Sequence, residues 1–228
     1  MREAARRALC SPGREVGATL AGRFIHRRGL LLGGGGLVLA GRARAAQRLP
    51  QVVIATSRGA IVVEVEDRKA PITAANFLGW VDRGVYAGGS FYRAVTKGND
   101  RGKPPIEVIQ GGRGMAWEDK VPGVAHEPTS LTGLRHRDGT ISMSRDKPGT
   151  ATTEFFICIG DQPALDAGGG RGADGLGFAA FGRVVEGMDV VRAIQRLPTP
   201  GKAPDAYVEG QMLEPAVRIE AIRRLAVC

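Results

Sequence analysis

Residues 91–112 read FYRAVTKGNDRGKPPIEVIQGG, from Phe91 to Gly112. The segment opens on Phe91-Tyr92-Arg93 and closes on Val108-Ile109-Gln110-Gly111-Gly112; between them Gly98, Gly102, Pro104 and Pro105 interrupt any extended run. It predicts two short strands joined by a polar loop. Period-two alternation puts Phe91 and Arg93 on one face and Tyr92 on the other, while Val108 and Gln110 share a face with Ile109 opposite. Pairing of the two strands would set an arginine beside a glutamine above apolar neighbours. A guanidinium held among aromatics on a sheet face is either a neutralised structural residue or a functional one. The segment alone leaves both readings open.

Charge excludes one function class. The 228-residue chain carries a formal charge of +9 and a pI near 10.1. Residues 1–46 hold nine arginines against Glu3 and Glu15, so this segment accounts for seven of those positive charges. The remainder is nearly neutral and shows no basic patch of the kind a nucleic-acid-binding domain presents. The cysteines are Cys10, Cys158 and Cys228, which offer neither a disulfide framework nor metal-ligand spacing. Cys158 lies in the apolar run Phe155-Phe156-Ile157-Cys158-Ile159 and reads as a small buried hydrophobe.

The N-terminal segment has the three-part layout of an export signal. An Arg-rich stretch precedes residues 29–40, GLLLGGGGLVLA, and Ala43-Arg44-Ala45 supplies small residues for cleavage. Twelve residues are too few to span a bilayer. Arg27-Arg28, directly before the weak apolar run, resembles a twin-arginine signal. Residues 1–45 are therefore expected to be a removable leader and residues 46–228 a single domain, periplasmic or secreted. The alternative is a basic tail on a cytoplasmic protein.

The rest of the chain reads as strands with few helices. Val52–Ala55 and Ile61–Glu66 flank a Ser57-Arg58-Gly59 turn, with Ile61, Val63 and Val65 on one face. Pro71 starts a helix carrying Ala75, Leu78 and Val81, which Gly84 ends. Further strands are expected at 140–143, 155–159, 179–186 and 217–223, with a second helix near Met188–Arg196. About eight strands and two helices, joined by loops too short for parallel crossovers, are most economically buried as a closed antiparallel barrel.

Several short motifs carry no chemistry. Gly170-Arg171-Gly172-Ala173-Asp174-Gly175 satisfies G-x-G-x-x-G but follows no strand and opens no helix, so it reads as a surface loop. His136-Arg137-Asp138 lacks the metal-binding asparagine of a kinase loop, since Met143 stands there. No serine or cysteine lies in a nucleophile motif near His126 or His136, and no zinc spacing occurs. What remains is an apolar set, Phe156, Leu165 and Phe178, together with Arg93 and Gln110.

These residues fall within a series of short matches. Ala70-Pro71-x5-Phe77, Tyr86-x3-Ser90-Phe91-Tyr92-Arg93, Gln110-Gly111-Gly112 and Gly139-Thr140-Ile141-Ser142-Met143 come in order. Glu154-Phe155-Phe156-Ile157 and Phe178-x2-Phe181-Gly182-Arg183-Val184-Val185-Glu186-Gly187-Met188 complete it. The chain across residues 51–228 resembles a cyclophilin-type peptidyl-prolyl cis-trans isomerase. The resemblance implies a closed eight-stranded antiparallel β-barrel capped by two helices, working without cofactor or metal and as a monomer. It implies Arg93 as the catalytic arginine and Gln110 as a ligand of substrate backbone, with Phe156 and Leu165 lining a proline slot. Phe178 stands where the family has a histidine or, in bacteria, often an aromatic, and Met143 ends the strand leading to the substrate groove.

Departures from the pattern concern that slot. The family's Phe-Met-x-Gln is here Glu107-Val108-Ile109-Gln110, its usual glutamine two before the slot Phe is Glu154, and Ala164 replaces a Trp or Phe. Val108 and Glu154 thus join the expected substrate-binding set. The implied partners are proline-containing peptides and folding proteins, not nucleic acid and not a membrane. The alternative function is a cyclophilin-like peptide-binding module with little turnover, which Glu107, Val108 and Ala164 would favour.

Overall fold

The hairpin expected at residues 52–66 is present as β1 (Gln51–Thr56) and β2 (Gly59–Val65), in register from Gln51 opposite Glu64 to Thr56 opposite Gly59. The computed structural model describes residues 48–114 and 121–226; the expected leader, Cys10 and Cys228 lie outside them. The described elements continue with α1 (Pro71–Asp82), β3 (Ser90–Val95), β4 (Val108–Gly112), α2 (Thr129–Thr132) and β5 (Thr140–Met143). Then come β6 (Phe155–Cys158), a 3-10 turn (Pro163–Leu165), β7 (Ala179–Glu186), α3 (Met188–Gln195) and β8 (Met212–Arg224). The strands close in the order β1-β2-β7-β5-β6-β4-β3-β8, and every pairing is antiparallel. Closure pairs every strand on both sides, which removes the unpaired edges of an open sheet.

Inward-facing side chains follow the strand period. Ile61, Val63 and Val65 of β2, Ile109 of β4 and Ile157 of β6 all lie in the interior cluster. Five aromatics fill its centre. The Phe77 ring lies 5.5 Å from Tyr86, 5.8 Å from Phe155 and 5.0 Å from Phe181, and Phe91 meets Phe155 edge-on at 5.7 Å. Each such side chain, fully withdrawn from water, stabilises the barrel by roughly 2–3 kcal/mol. The Tyr86 hydroxyl donates to the Thr153 carbonyl at 3.0 Å, so its burial leaves no polar group unmet. Val191 and Ile194 of α3 and Phe77, Leu78 and Val81 of α1 join the same cluster.

Three features depart from the sequence reading. The strand β8 begins at Met212, five residues before Val217, and α2 was not foreseen. The start of α1 has no local side-chain cap; Glu127, more than fifty residues away, accepts from the Ile72 and Thr73 amides at 3.2 and 2.7 Å. A buried carboxylate there meets both the orphan N–H groups and the positive end of the helix. The third departure is in β3. Against β4, two steps along β3 from Phe91 to Arg93 match one step from Gly111 to Gln110, so Tyr92 is an extra residue; against β8 the register also shifts there, with the surplus residues on β8. Phe91 and Ala94 face the interior while Arg93 is turned out of it, so Phe91 and Arg93 do not share the face that strict alternation requires.

Because barrel closure uses residues from Gln51 to Arg224, a chain starting at Gln47 is expected to unfold within about 2 °C of the full chain. Thermal melting followed by circular dichroism checks this. A loss several times larger would show that the first 46 residues contribute to the fold.

Candidate active site

The bulge at Tyr92 delivers Arg93 to a polar cradle. Its Nη1 donates to Gln110 Oε1 at 2.9 Å, and its Nε and Nη2 donate to Gln211 Oε1 at 2.8 and 2.6 Å. Gln211 is itself fully buried, its Nε2 donating to the Asn99 carbonyl at 2.8 Å. Gln110 Nε2 donates to the Tyr92 hydroxyl (2.9 Å) and to Ser144 Oγ (3.1 Å). Each amide is thus oriented by partners on its far side, and the guanidinium is aimed from two directions. Three of its N–H groups are used in this way, which leaves two of the five for a ligand. Burial pulls the Arg93 pKa below its ordinary value, yet a guanidinium remains charged at any physiological pH.

An apolar surface lies beside that charge because strand pairing puts it there. Gln110 is the register partner of Arg93 in β3 and of Phe156 in β6, and Val108 pairs with Cys158. Val108, Phe156, Cys158, Ala164 and Leu165 form a second apolar cluster, distinct from the barrel interior, against which Phe178 packs. The Phe178 ring meets Phe156 edge-on at 5.5 Å. His136 also stacks on Phe156, at 6.0 Å. His136 Nδ1 donates to Asp166 Oδ1 at 2.8 Å, and its Nε2 lies 3.0 Å from Ser142 Oγ. Ser142 and His136 are both buried, so this serine–histidine–aspartate set props the Phe156 ring and has no access for nucleophilic chemistry. Beyond Tyr92, a cavity of about 470 Å³ is lined by Ser90, Tyr92, Met212 and Lys202–Pro204.

A fixed cation beside an apolar cluster suits a reaction that rearranges a bond without transferring atoms. The cyclophilin type peptidyl-prolyl cis-trans isomerase/CLD family matches residues 51–223. The chain belongs to that family. It is 35% identical over 163 residues to peptidyl-prolyl cis-trans isomerase A of Dickeya dadantii, covering 71% of this chain and 80% of the relative. It is 34% identical over 152 residues to peptidyl-prolyl cis-trans isomerase B of Escherichia coli, covering 65% and 85% respectively. A solved cyclophilin type isomerase from Cryptosporidium parvum shares the fold with a TM-score of 0.59 at 20% identity, over 78% of this chain and 99% of that one. The protein is a cyclophilin-type isomerase in fold and in enzyme class.

Within this cyclophilin, Arg93, Gln110, Val108, Phe156, Leu165 and Phe178 are gathered in one region, as expected. Met143 and Glu154 are not. Met143 is fully buried in the barrel interior opposite Phe155, because it points inward from the last position of β5. Glu154 is 1% exposed and its Oε1 accepts from the Gly114 amide at 2.7 Å, so it anchors the chain after β4 and does not face the slot. A Cβ at Gly112 would lie 2.4 Å from Glu154 Oε1, so a side chain there would displace the carboxylate. Gln211, His136 and Ser144 were missed, and no local signal marks them; Gln211 is 118 residues from Arg93 in sequence. Among the described residues no helix is long and apolar enough to cross a membrane, and no cluster of His, Cys, Asp and Glu could hold a metal ion.

The loop carrying Phe178 is held by a second arginine. Arg145 Nε donates to the Gly177 carbonyl at 3.0 Å, its guanidinium makes two bonds to Asp174 at 2.7 and 3.0 Å, and it lies 5.3 Å from the Phe178 ring centre. The hydrogen bonds from Arg145, followed by the Leu176 amide, lower the Asp174 pKa to about 2. An unfolded aspartate titrates near 3.9. The sign follows: this link stabilises the loop fully above about pH 4 and is lost as pH falls through about 2. The Asp174 carboxyl carbon is expected to titrate with a midpoint of about 2 by NMR, returning toward about 4 in Arg145→Gln. A native midpoint near 4 would show that the pair does not form in solution.

Proposed function

We propose that this isomerase turns the Xaa-Pro bonds of exported proteins, with Arg93 as its catalytic group and the Val108–Phe156–Leu165 cluster as its proline slot. The uncatalysed rotation must break amide resonance against a barrier of roughly 20 kcal/mol. No bond to another atom is made, so no acid, base or nucleophile is needed. In the twisted state the prolyl nitrogen regains its lone pair and can accept a hydrogen bond. A guanidinium aimed at that nitrogen stabilises the twisted amide more than either planar form, which is the condition for lowering the barrier. An acceleration of about 10⁵ would need about 7 kcal/mol. A charge-assisted hydrogen bond in a partly desolvated site, with the ring held still, is of that order.

One observation carries the reading: Arg93 is held by two glutamines at 2.6–2.9 Å, and one of them is the strand partner of Phe156. Arg93→Ala is expected to lower kcat/KM on a short Ala-Pro peptide at least about tenfold, equivalent to about 1.4 kcal/mol of transition-state stabilisation, while the fold persists. Exchange near the wild-type rate, measured by NMR, would overturn the role of the arginine.

The exported location rests on Arg27-Arg28, the apolar run 29–40 and Ala43-Arg44-Ala45. Residues 1–46 fused to a reporter are expected to direct its export, and Lys-Lys in place of Arg27-Arg28 to block it, because a twin-arginine receptor reads the guanidinium pair and not charge alone. Export of the Lys-Lys reporter would point to the general secretory route. Retention of both reporters in the cytoplasm would assign residues 1–46 to a basic tail.

A further inference from the structure

The slot as read from family resemblance is short of one wall, since Glu107 and Val108 stand where the pattern has Phe and Met. In the structure Glu107 turns toward Lys97, 3.7 Å away, and offers the slot no apolar surface. The residue before it behaves differently. Ile106 is 7% exposed and packs in the same cluster as Val108, Phe156, Ala164 and Leu165. It stands at the end of the polar loop joining β3 to β4, a place where an apolar side chain would ordinarily be free to leave.

An ion pair holds it there. Asp100 Oδ2 accepts from the Ile106 amide at 2.8 Å and Asp100 Oδ1 from the Gly102 amide at 3.1 Å. Arg171 closes on the same carboxylate with Nη1 at 2.7 Å and Nη2 at 2.8 Å, and Nη1 also donates to the Pro104 carbonyl at 2.9 Å. The two charged side chains are 5% and 0% exposed. The Arg171 amide donates to the Ala164 carbonyl at 3.0 Å, which ties the clasp to the other side of the slot. The guanidinium lies so close over Gly102 that a Cβ there would be 2.2 Å from Nη1. A buried, bidentate pair that also engages the Gly102 and Ile106 amides and the Pro104 carbonyl has the geometry to hold two loops in one arrangement.

We propose that Ile106, clasped by Asp100 and Arg171, is the slot wall that position 107 does not supply, standing beside the smaller Val108, and is a specificity-determining contact for the proline ring. Asp100 and Arg171 are positioning residues that act through it. The inference rests on the proline-slot reading above and refines it: the ring is held between Phe156 and an aliphatic wall where the family pattern has an aromatic.

The test uses the full chain with a short Ala-Pro peptide, reading Kd by NMR titration and kcat and KM by exchange. Ile106→Ala is expected to raise Kd and KM about tenfold, from two or three lost methyl and methylene contacts, with kcat within about twofold. Ile106→Val, which preserves the fold more securely, is expected to move both in the same direction by a smaller factor. Asp100→Asn is expected to weaken binding in the wild-type background and to add less than about twofold in the Ile106→Ala background, because a residue acting only through Ile106 has nothing left to position. Fully additive effects would overturn the clasp. Unchanged affinity in both Ile106 variants, with Phe156→Ala losing binding, would overturn the wall while leaving the slot in place. Unchanged affinity in Phe156→Ala as well would overturn the slot and this inference together.

Discussion

One inserted residue decides what this barrel can do. Tyr92 is a bulge against β4, and it moves Arg93 from the interior, where alternation would put it beside Phe91, to the outer face. Inside, the guanidinium would face five aromatic rings and no acceptor, a burial that costs far more than the fold's net stability can supply. Outside, it finds Gln110 and Gln211. The same bulge lets Phe91 stay in the aromatic cluster, so the core and the site are both satisfied by one local irregularity. Bulges recur beside active sites because they re-aim a side chain without disturbing the rest of a ladder.

Polar side chains then do at the surface what hydrophobic packing does inside. The two loops beside the slot have few apolar residues of their own, and each is fixed by an arginine. Arg171 binds Asp100 on one side, and Arg145 binds Asp174 on the other. Both guanidinium groups are almost wholly covered, at 5% and 3% exposure, and both also donate to backbone carbonyls. Removing the carboxylate from either pair strands a covered guanidinium without its counter-ion. The slot therefore depends on electrostatic ties that a reading of hydrophobic pattern alone does not register.

Much of the fold was legible from local pattern. The Ser57-Arg58-Gly59 turn, the alternation of Ile61, Val63 and Val65, and the proline at the head of α1 placed three elements nearly to the residue. The strands at 140–143 and 179–186 were likewise bounded by glycine turns and matched in full. Met143 and Glu154 show the limit. Both sit in matching motifs, and a motif records that a position is constrained without saying whether contact with a ligand or with the core constrains it. The G-x-G-x-x-G stretch is a loop, yet its Arg171 is buried, and nothing in the six residues points to Asp100.

The sequence by itself determined the number and order of the strands, the need for closure, and the presence of an arginine, a glutamine and a phenylalanine at positions the family shares. Those follow from side-chain period and turn chemistry, which act over a few residues. Only the tertiary structure decided which way Arg93 faces, that Gln211 holds it from 118 residues away, and that Glu127 caps α1. It also put Ile106 in one apolar cluster with Val108, Phe156 and Leu165. These are long-range satisfactions of charge and hydrogen bonding. They depend on which chain segments the closed barrel brings together, and no local window of sequence contains both partners.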